Sequence, residues 1–364
     1  MTATTTDLGL VRGDSGLASV GALAFGPDDV LFVADSAAAR VLAIDVADPA
    51  PSAASGAFDL TDLDAALAGY LGCAVADLSL RDLAVHPRTG NVYLSVQRGS
   101  GTAARPVLVR IDRADGSLSD VDLTDVAFAA ADLTDAPAED DERQDTRLGE
   151  GEAREYNGRV FRVTRVPVRL SAITDLAWVD GTLLVAGMSD EEFSSTLRRI
   201  PFPFADEQAS TGLEIYHVSH GAWETAAPIR TFLPYRDGIL ASYTCTPLVH
   251  FPLTDLAAGG KATGRTVAEL GWGNQPLDMV AFTRDGAEHL LVSHTAYPLM
   301  RFAAADIDAQ AALTEPKEPI GVPRAETELS GISLMAALDD EHVLVVQADD
   351  AGTRHLRSLK TATL

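Results

Sequence analysis

Cysteine and lysine are both scarce in this chain: Cys73 and Cys245 are the only cysteines, and Lys261, Lys317 and Lys360 the only lysines. Two cysteines cannot make a disulfide scaffold. They also fall in different sequence repeats, so a bridge between them is not expected. No segment reaches the roughly 18 consecutive apolar residues that a membrane-spanning helix needs. The N-terminal stretch MTATTTDLGLVRGDSG has neither the cationic start nor the apolar centre of a secretion signal. That predicts a cytoplasmic protein, or a secreted one whose leader has been trimmed away. Positive charge is outweighed: 28 Lys and Arg stand against 53 Asp and Glu, a formal net charge of −25. Such a surface repels phosphate backbones and anionic lipid headgroups, so neither nucleic acid nor a membrane is an expected partner. Two local signals are absent as well. The acidic run 134–152 lacks the D-x-D-x-D-G order of a calcium loop, and Gly99-Ser100-Gly101 is not followed by the helix of a phosphate loop.

What the chain does have is self-similarity. Residues 282–303 (FTRDGAEHLLVSHTAYPLMRFA) and 235–253 (YRDGILASYTCTPLVHFPL) share an Asp-Gly turn, an apolar strand, a polar turn and a second apolar strand. Weaker copies lie at 23–46, 83–113, 176–189 and 333–359. Repetition at roughly 40–60 residues, with several short strands per unit, predicts an all-β fold: a β-propeller of six blades, seven being the alternative. Blades add to one ring, so 1–364 reads as one domain. Insertions are expected near 61–80, 129–170 and 190–212. The first begins with a capping box of Thr61 and Asp64 ahead of an apolar helical face. The stretch 134–152 reads as loop, 155–166 as a hairpin about Asn157-Gly158, and 190–212 as a break between second and third strands. The outer strand of the second copy is expected within 117–128. Residues 6–12 are expected to close the ring beside 355–359.

In a propeller the starts of the inner strands and the turns between second and third strands share one face. Counting back from each hairpin turn puts Asp82, Asp175, Asp278, Arg230, Gly21 and Gly331 on a ring at one channel mouth. Three converging carboxylates repel one another unless compensated. The compensation is a divalent cation (Ca²⁺ or Mg²⁺), pairing with Arg230, or backbone N–H groups of the neighbouring blade. The surrounding turns bring Arg98, Tyr243, Cys245, His294 and Tyr297 to the same mouth. His294 with Cys245 suits a base and nucleophile or a soft-metal site, while Cys245 equally suits a small buried residue. His217 and His220, three apart near one strand, are expected to turn to opposite sides and not to share a metal.

The units LAFGPDDVLFVADSAAARVLAIDV and LAVHPRTGNVYLSVQRG resemble the repeats of NHL-type propellers and of the gluconolactonase-like (senescence-marker-like) calcium-dependent hydrolases. The resemblance implies metal ligands at inner-strand starts, where Asp82, Asp175 and Asp278 stand with Asn274 nearby. The family's early glutamate is missing, Ser19-Val20-Gly21 occupying that place. The expectation is a small-molecule enzyme, a metal-dependent ester or lactone hydrolase, acting at the mouth as a monomer. Asp278, His294, Tyr243 and Cys245 would be catalytic, with Arg98 and Arg230 holding substrate. The alternative is a non-catalytic module that grips a peptide or protein through Tyr297, Phe193 and Phe202 with Phe204.

Overall fold

The structure is a computed structural model describing residues 8–48, 56–156, 158–204, 207–244, 247–256, 259–315 and 320–364. It is a six-bladed β-propeller. The three inner strands of each blade are, in chain order, Leu23–Phe25, Val30–Asp35 and Arg40–Asp45 (blade 1); Leu78–Val85, Val92–Arg98 and Arg105–Ile111 (blade 2); and Asp175–Val179, Thr182–Met188 and Ser195–Pro201 (blade 3). They continue as Ile229–Tyr235, Gly238–Tyr243 and Pro247–Pro252 (blade 4); Pro276–Arg284, Ala287–His294 and Met300–Ala303 (blade 5); and Ile332–Asp339, His342–Ala348 and Arg354–Lys360 (blade 6). The second strand of each blade is covered on both faces by neighbouring blades. Sequences such as VLFVAD and GILASY are therefore buried at every position instead of alternating.

Six apolar clusters fill the six gaps, and they fix the order of the ring. They join blades 1 and 2, 1 and 3, 3 and 4, 4 and 5, 5 and 6, and 6 and 2. The spatial order is thus 2-1-3-4-5-6, not the order of the chain. Two strands make this possible. Val126–Asp132 follows blade 2 in sequence but pairs with Arg40–Asp45 as the outer strand of blade 1. The segment around Leu60 precedes blade 2 but bridges Leu356 at the edge of blade 6.

Several expectations change accordingly. Of the span 117–128, only Leu118–Asp120 belongs to blade 2. The N-terminal Val11–Gly13 pairs with Val126–Phe128, not with the last blade. The helix Leu63–Leu71 is present, but its cap is Asp62, which accepts the Ala65 N–H. Asp64 turns inward to bind Arg354. Gln144–Tyr156 and Arg159–Pro167 form one long hairpin, so 144–152 is strand where charge density suggested loop. Asn157 itself lies outside the described residues. In blade 3 the third strand is Ser195–Pro201 and the fourth Ala209–His217, so only the short link after Met188 is extra.

Candidate functional site at the channel mouth

Each ring aspartate ties two inner strands together. Asp82 accepts the N–H of Leu83 on one oxygen and of Leu23, in blade 1, on the other, at 2.7 and 2.6 Å. Asp175 does the same with Leu176 and with Phe232 of blade 4, both at 2.8 Å. Asp278 takes Met279 and Met335 of blade 6, at 2.7 and 2.5 Å. The three occupy alternate blades, and each reaches forward in the same sense round the ring. Burial, then the charge of Asp175, pushes the Asp82 carboxyl up to about 8. Burial pushes Asp175 up to about 7 despite its N–H donors. Burial, then Asp82, raises Asp278 well above the usual range.

The residues that precede the donor N–H groups in the other three blades are Ala22, Thr231 and Leu334. These, not Gly21, Arg230 and Gly331, are the ring equivalents. Arg230 was misplaced because the hairpin arm of blade 4 is shorter than that of blade 5: Thr231 stands four residues before Tyr235 at the turn, whereas Asp278 stands six before Arg284. In blade 5 the turn is Asp285-Gly286, both with positive φ. Gly238 cannot be larger, since a Cβ there would come 2.1 Å from the Phe251 carbonyl oxygen.

Arg230 therefore stands one residue nearer the mouth and meets none of the ring carboxylates. It forms a bidentate pair with Asp145 of the long hairpin, at 2.7 and 2.6 Å, and also donates to Thr244 and the Thr146 carbonyl. Both side chains are almost wholly buried, at 6% and 4% exposure. This pair fastens the hairpin over the mouth. A bulge between Leu148 and Glu152 then pushes Gly149-Glu150-Gly151 out of the ladder, with Gly149 packed against Thr295 and Leu148 N–H donating to Gln275.

Beneath the hairpin is an open cavity of about 830 Å³. Arg81, Thr174 and Leu277, each immediately before a ring aspartate, line it. So do Arg147, Arg230, His294 and Tyr297, with Glu150 as its wall carboxylate. Arg147 donates to the Leu170 carbonyl and Ser171, but its Nε has no hydrogen-bond partner and lies 3.7 Å from Asp145. Burial, then the charge of Arg230, lowers the Arg147 guanidinium, with Arg81 a further contributor. Among the described residues none accepts a hydrogen bond from Arg81. Four guanidiniums, those of Arg81, Arg147, Arg230 and Arg354, line the cavity with Glu150, Arg230 being paired with Asp145 and Arg354 with Asp64, in a chain whose formal charge is −25.

His294 completes the wall at 5% exposure. Asn274 Oδ1 accepts the Ala296 N–H at 3.1 Å, which turns Asn274 Nδ2 toward His294 Nδ1 at 3.0 Å. An amide NH₂ can only donate, so Nδ1 carries the lone pair and Nε2 the proton. Nε2 has no partner among the described residues. Burial, then Arg324, lowers the imidazole to about 3, so the ring is neutral. His294 thus contributes to the cavity wall as a neutral ring whose Nε2–H is buried and unpartnered among the described residues.

The other sequence-predicted residues fall elsewhere. Tyr243 is wholly buried in the apolar layer between blades 3 and 4. Arg98 is exposed and bonds the Gly72 carbonyl, away from the cavity. Cys245 lies outside the described residues, and Cys73 is a free thiol. The expected aromatic patch does not assemble. Phe202 and Phe204 pack on Phe32 between blades 1 and 3, Phe193 carries Lys261 over its ring, and Tyr297 lines the cavity. Sequence reasoning missed Arg81, Arg147 and Glu150. Nothing in the sequence said that the segment carrying Arg147 and Glu150 would fold over the mouth.

Histidine and acid do meet at the outer edge of blade 3. His217 ends the strand Ala209–His217, and the chain turns back so that the His220 ring lies 3.8 Å from it. The two were expected on opposite sides. Alternation ended because His220 belongs to the turn, whose Gly221 N–H bonds the His217 carbonyl. Ligand atoms of His217, His220 and Glu224 all lie within 4.8 Å of one another, and among the described residues this is the group close enough to share a metal ion. Asp82, Asp175 and Asp278 do not form one.

No protein-family model matches the chain, and no curated protein matches it. Among solved structures, 218 chains are similar. A putative oxidoreductase (glucose dehydrogenase) of Thermus thermophilus is 15% identical, over 96% of this chain and 100% of its own, with a TM-score of 0.37. A streptogramin B lyase is 9% identical over 97% of both chains, with a TM-score of 0.38. The extracellular domain of a putative hybrid two-component system of B. thetaiotaomicron is 9% identical over 93% of this chain, which spans 32% of that one, with a TM-score of 0.34. At these values the likenesses carry no argument about activity. No helix of the described residues is long and apolar enough to cross a membrane.

Proposed function

We propose that the mouth cavity binds an anionic small molecule that carries a carbonyl, and that the protein acts on it as an enzyme. The observation that carries this reading is that His294, whose buried Nε2–H has no partner among the described residues, lines the same cavity as the incompletely paired guanidiniums of Arg81 and Arg147. Guanidinium groups bind carboxylate or phosphate in two-pronged fashion. A neutral imidazole N–H polarises a carbonyl oxygen and stabilises the charge that develops there. In this reading His294 is an electrophilic donor, and Glu150, the lining carboxylate, would move a proton. Ester or lactone opening is one reaction that this donor set serves. Calcium or magnesium at Asp82, Asp175 and Asp278 forms no part of the reading, because the three carboxylates are not close enough together to share an ion and each is engaged by backbone N–H groups. The peptide-binding alternative loses its support with the dispersal of Phe193, Phe202, Phe204 and Tyr297.

Isothermal titration with inorganic phosphate and with a small dicarboxylate tests the proposal. Saturable one-site binding is expected. Loss of one charge-assisted contact is worth about 1.5–3 kcal/mol, so Arg81→Ala should weaken binding roughly 10- to 100-fold. Equal affinity in wild type and Arg81→Ala, or no saturable binding to either probe, would refute it.

A further inference from the structure

We propose that His217, His220 and Glu224 form a zinc-type metal site that clips the outer edge of blade 3 to blade 4. None of the three lines the mouth cavity, so the site is separate from the one above. His217 Nδ1 lies 2.8 Å from one Glu224 oxygen and His220 Nδ1 lies 2.5 Å from the other. Two imidazole nitrogens thus converge on one carboxylate from residues that the hairpin Ala209–His217 and Ala222–Glu224 holds in register. A divalent ion seated between them takes the place of the Nδ1 protons: a neutral ring carries its one proton on Nε2 instead, and an imidazolium releases one, as metal binding by histidine does in general.

The surroundings match such a site. His217 is 2% exposed, and its Nε2 has no hydrogen-bond partner. That nitrogen faces the fully buried carboxylate of Glu269, in blade 4, at 3.9 Å. Metal-ligating histidines regularly present the far ring N–H to a carboxylate, which fixes the tautomer and strengthens the ligand. Glu269 is placed for that role, and through it the ion would couple two blades. His220 is 45% exposed at the side chain, which leaves an entry path and an open coordination position for water. Two imidazoles and a carboxylate suit zinc, cobalt or nickel, whereas calcium and magnesium call for oxygen ligands throughout.

The test uses the full chain, stripped with chelator and titrated with Co²⁺ as a spectroscopic stand-in for Zn²⁺. One equivalent of Co²⁺ should produce visible absorption bands of a nitrogen–oxygen site. Zn²⁺ should abolish them, and excess Mg²⁺ should not. His220→Ala changes an exposed turn residue, so its circular dichroism in chelator should match wild type, and it should lose the bands. Glu269→Gln should keep the one-to-one stoichiometry and bind about 10- to 100-fold more weakly. Absence of bands in wild type, or undiminished Co²⁺ binding by a folded His220→Ala, would overturn the assignment.

Discussion

Asp82, Asp175 and Asp278 show how one residue type at one position can be read correctly for place and variously for role. Their place at the starts of inner strands was legible because a turn glycine (Gly90, Gly181 or Gly286) marks the bend of each of their hairpins. Their role was not, since a carboxylate that accepts N–H groups from the next blade looks in sequence like one that binds a cation. The structure gives a pH signature. Folding raises these carboxyls above their unfolded values, so the unfolded chain releases protons that the folded chain keeps. Their contribution to stability is complete only below the unfolded carboxyl range, at about pH 4, falls as pH rises from there, and is gone once pH has passed about 7 to 8. Denaturant unfolding should therefore give a lower free energy at pH 9 than at pH 6. Asp175→Asn, which keeps an acceptor for one of the two N–H groups, should cost about 1–3 kcal/mol at pH 6 for the other. The same variant should show a shallower pH slope, and a slope identical to wild type would contradict the account.

At the scale of elements, the hairpin Gln144–Pro167 makes the largest difference between sequence and structure. Its far end is the hairpin expected at 155–166, but the arm through 144–152 carries no alternation of apolar and polar residues, so period-two patterning could not reveal that part. What holds it is Asp145, whose carboxyl burial alone would raise but which the Arg230 hydrogen bonds hold below its usual range. Removing one member of a buried pair strands the other. Arg230→Ala should destabilise the protein by about 3–5 kcal/mol, and the double variant with Asp145→Ala should recover part of that loss. Additive losses in the double-mutant cycle would mean that the pair does not anchor the hairpin. The blade 3 edge teaches a related lesson. A three-residue spacing separates side chains only while the strand continues, and the turn after His217 ended that rule.

For the whole molecule, six repeat units were legible and their order round the ring was not. Sequential units are usually spatial neighbours, and blades 2 and 3 are not. The strands that permit this, Val126–Asp132 and the Leu60 segment, are short and resemble ordinary connectors. Because Leu23–Asp45 sits between blades 2 and 3, the ring closes only when the N-terminal blade is in place. Phe32, wholly buried and stacked 5.4 Å from Trp178, lies in that gap. Phe32→Ala should cost about 3–5 kcal/mol. In both proteins, tryptophan fluorescence and far-ultraviolet circular dichroism should unfold together, since each blade is stabilised by its neighbours. Separate transitions would show that the first blade is not a structural part of a closed ring.

The charge of the whole chain gives the mouth its meaning: an acidic protein gathers arginine beside a neutral histidine donor at one cavity. The most direct measurement is nitrogen NMR of histidine-labelled protein during titration with inorganic phosphate. The account predicts that His294 is neutral with its proton on Nε2 near pH 7, that its signals move saturably as anion binds, and that Arg81→Ala suppresses the movement. A His294 ring protonated on Nδ1, or signals unmoved at phosphate saturation, would contradict it.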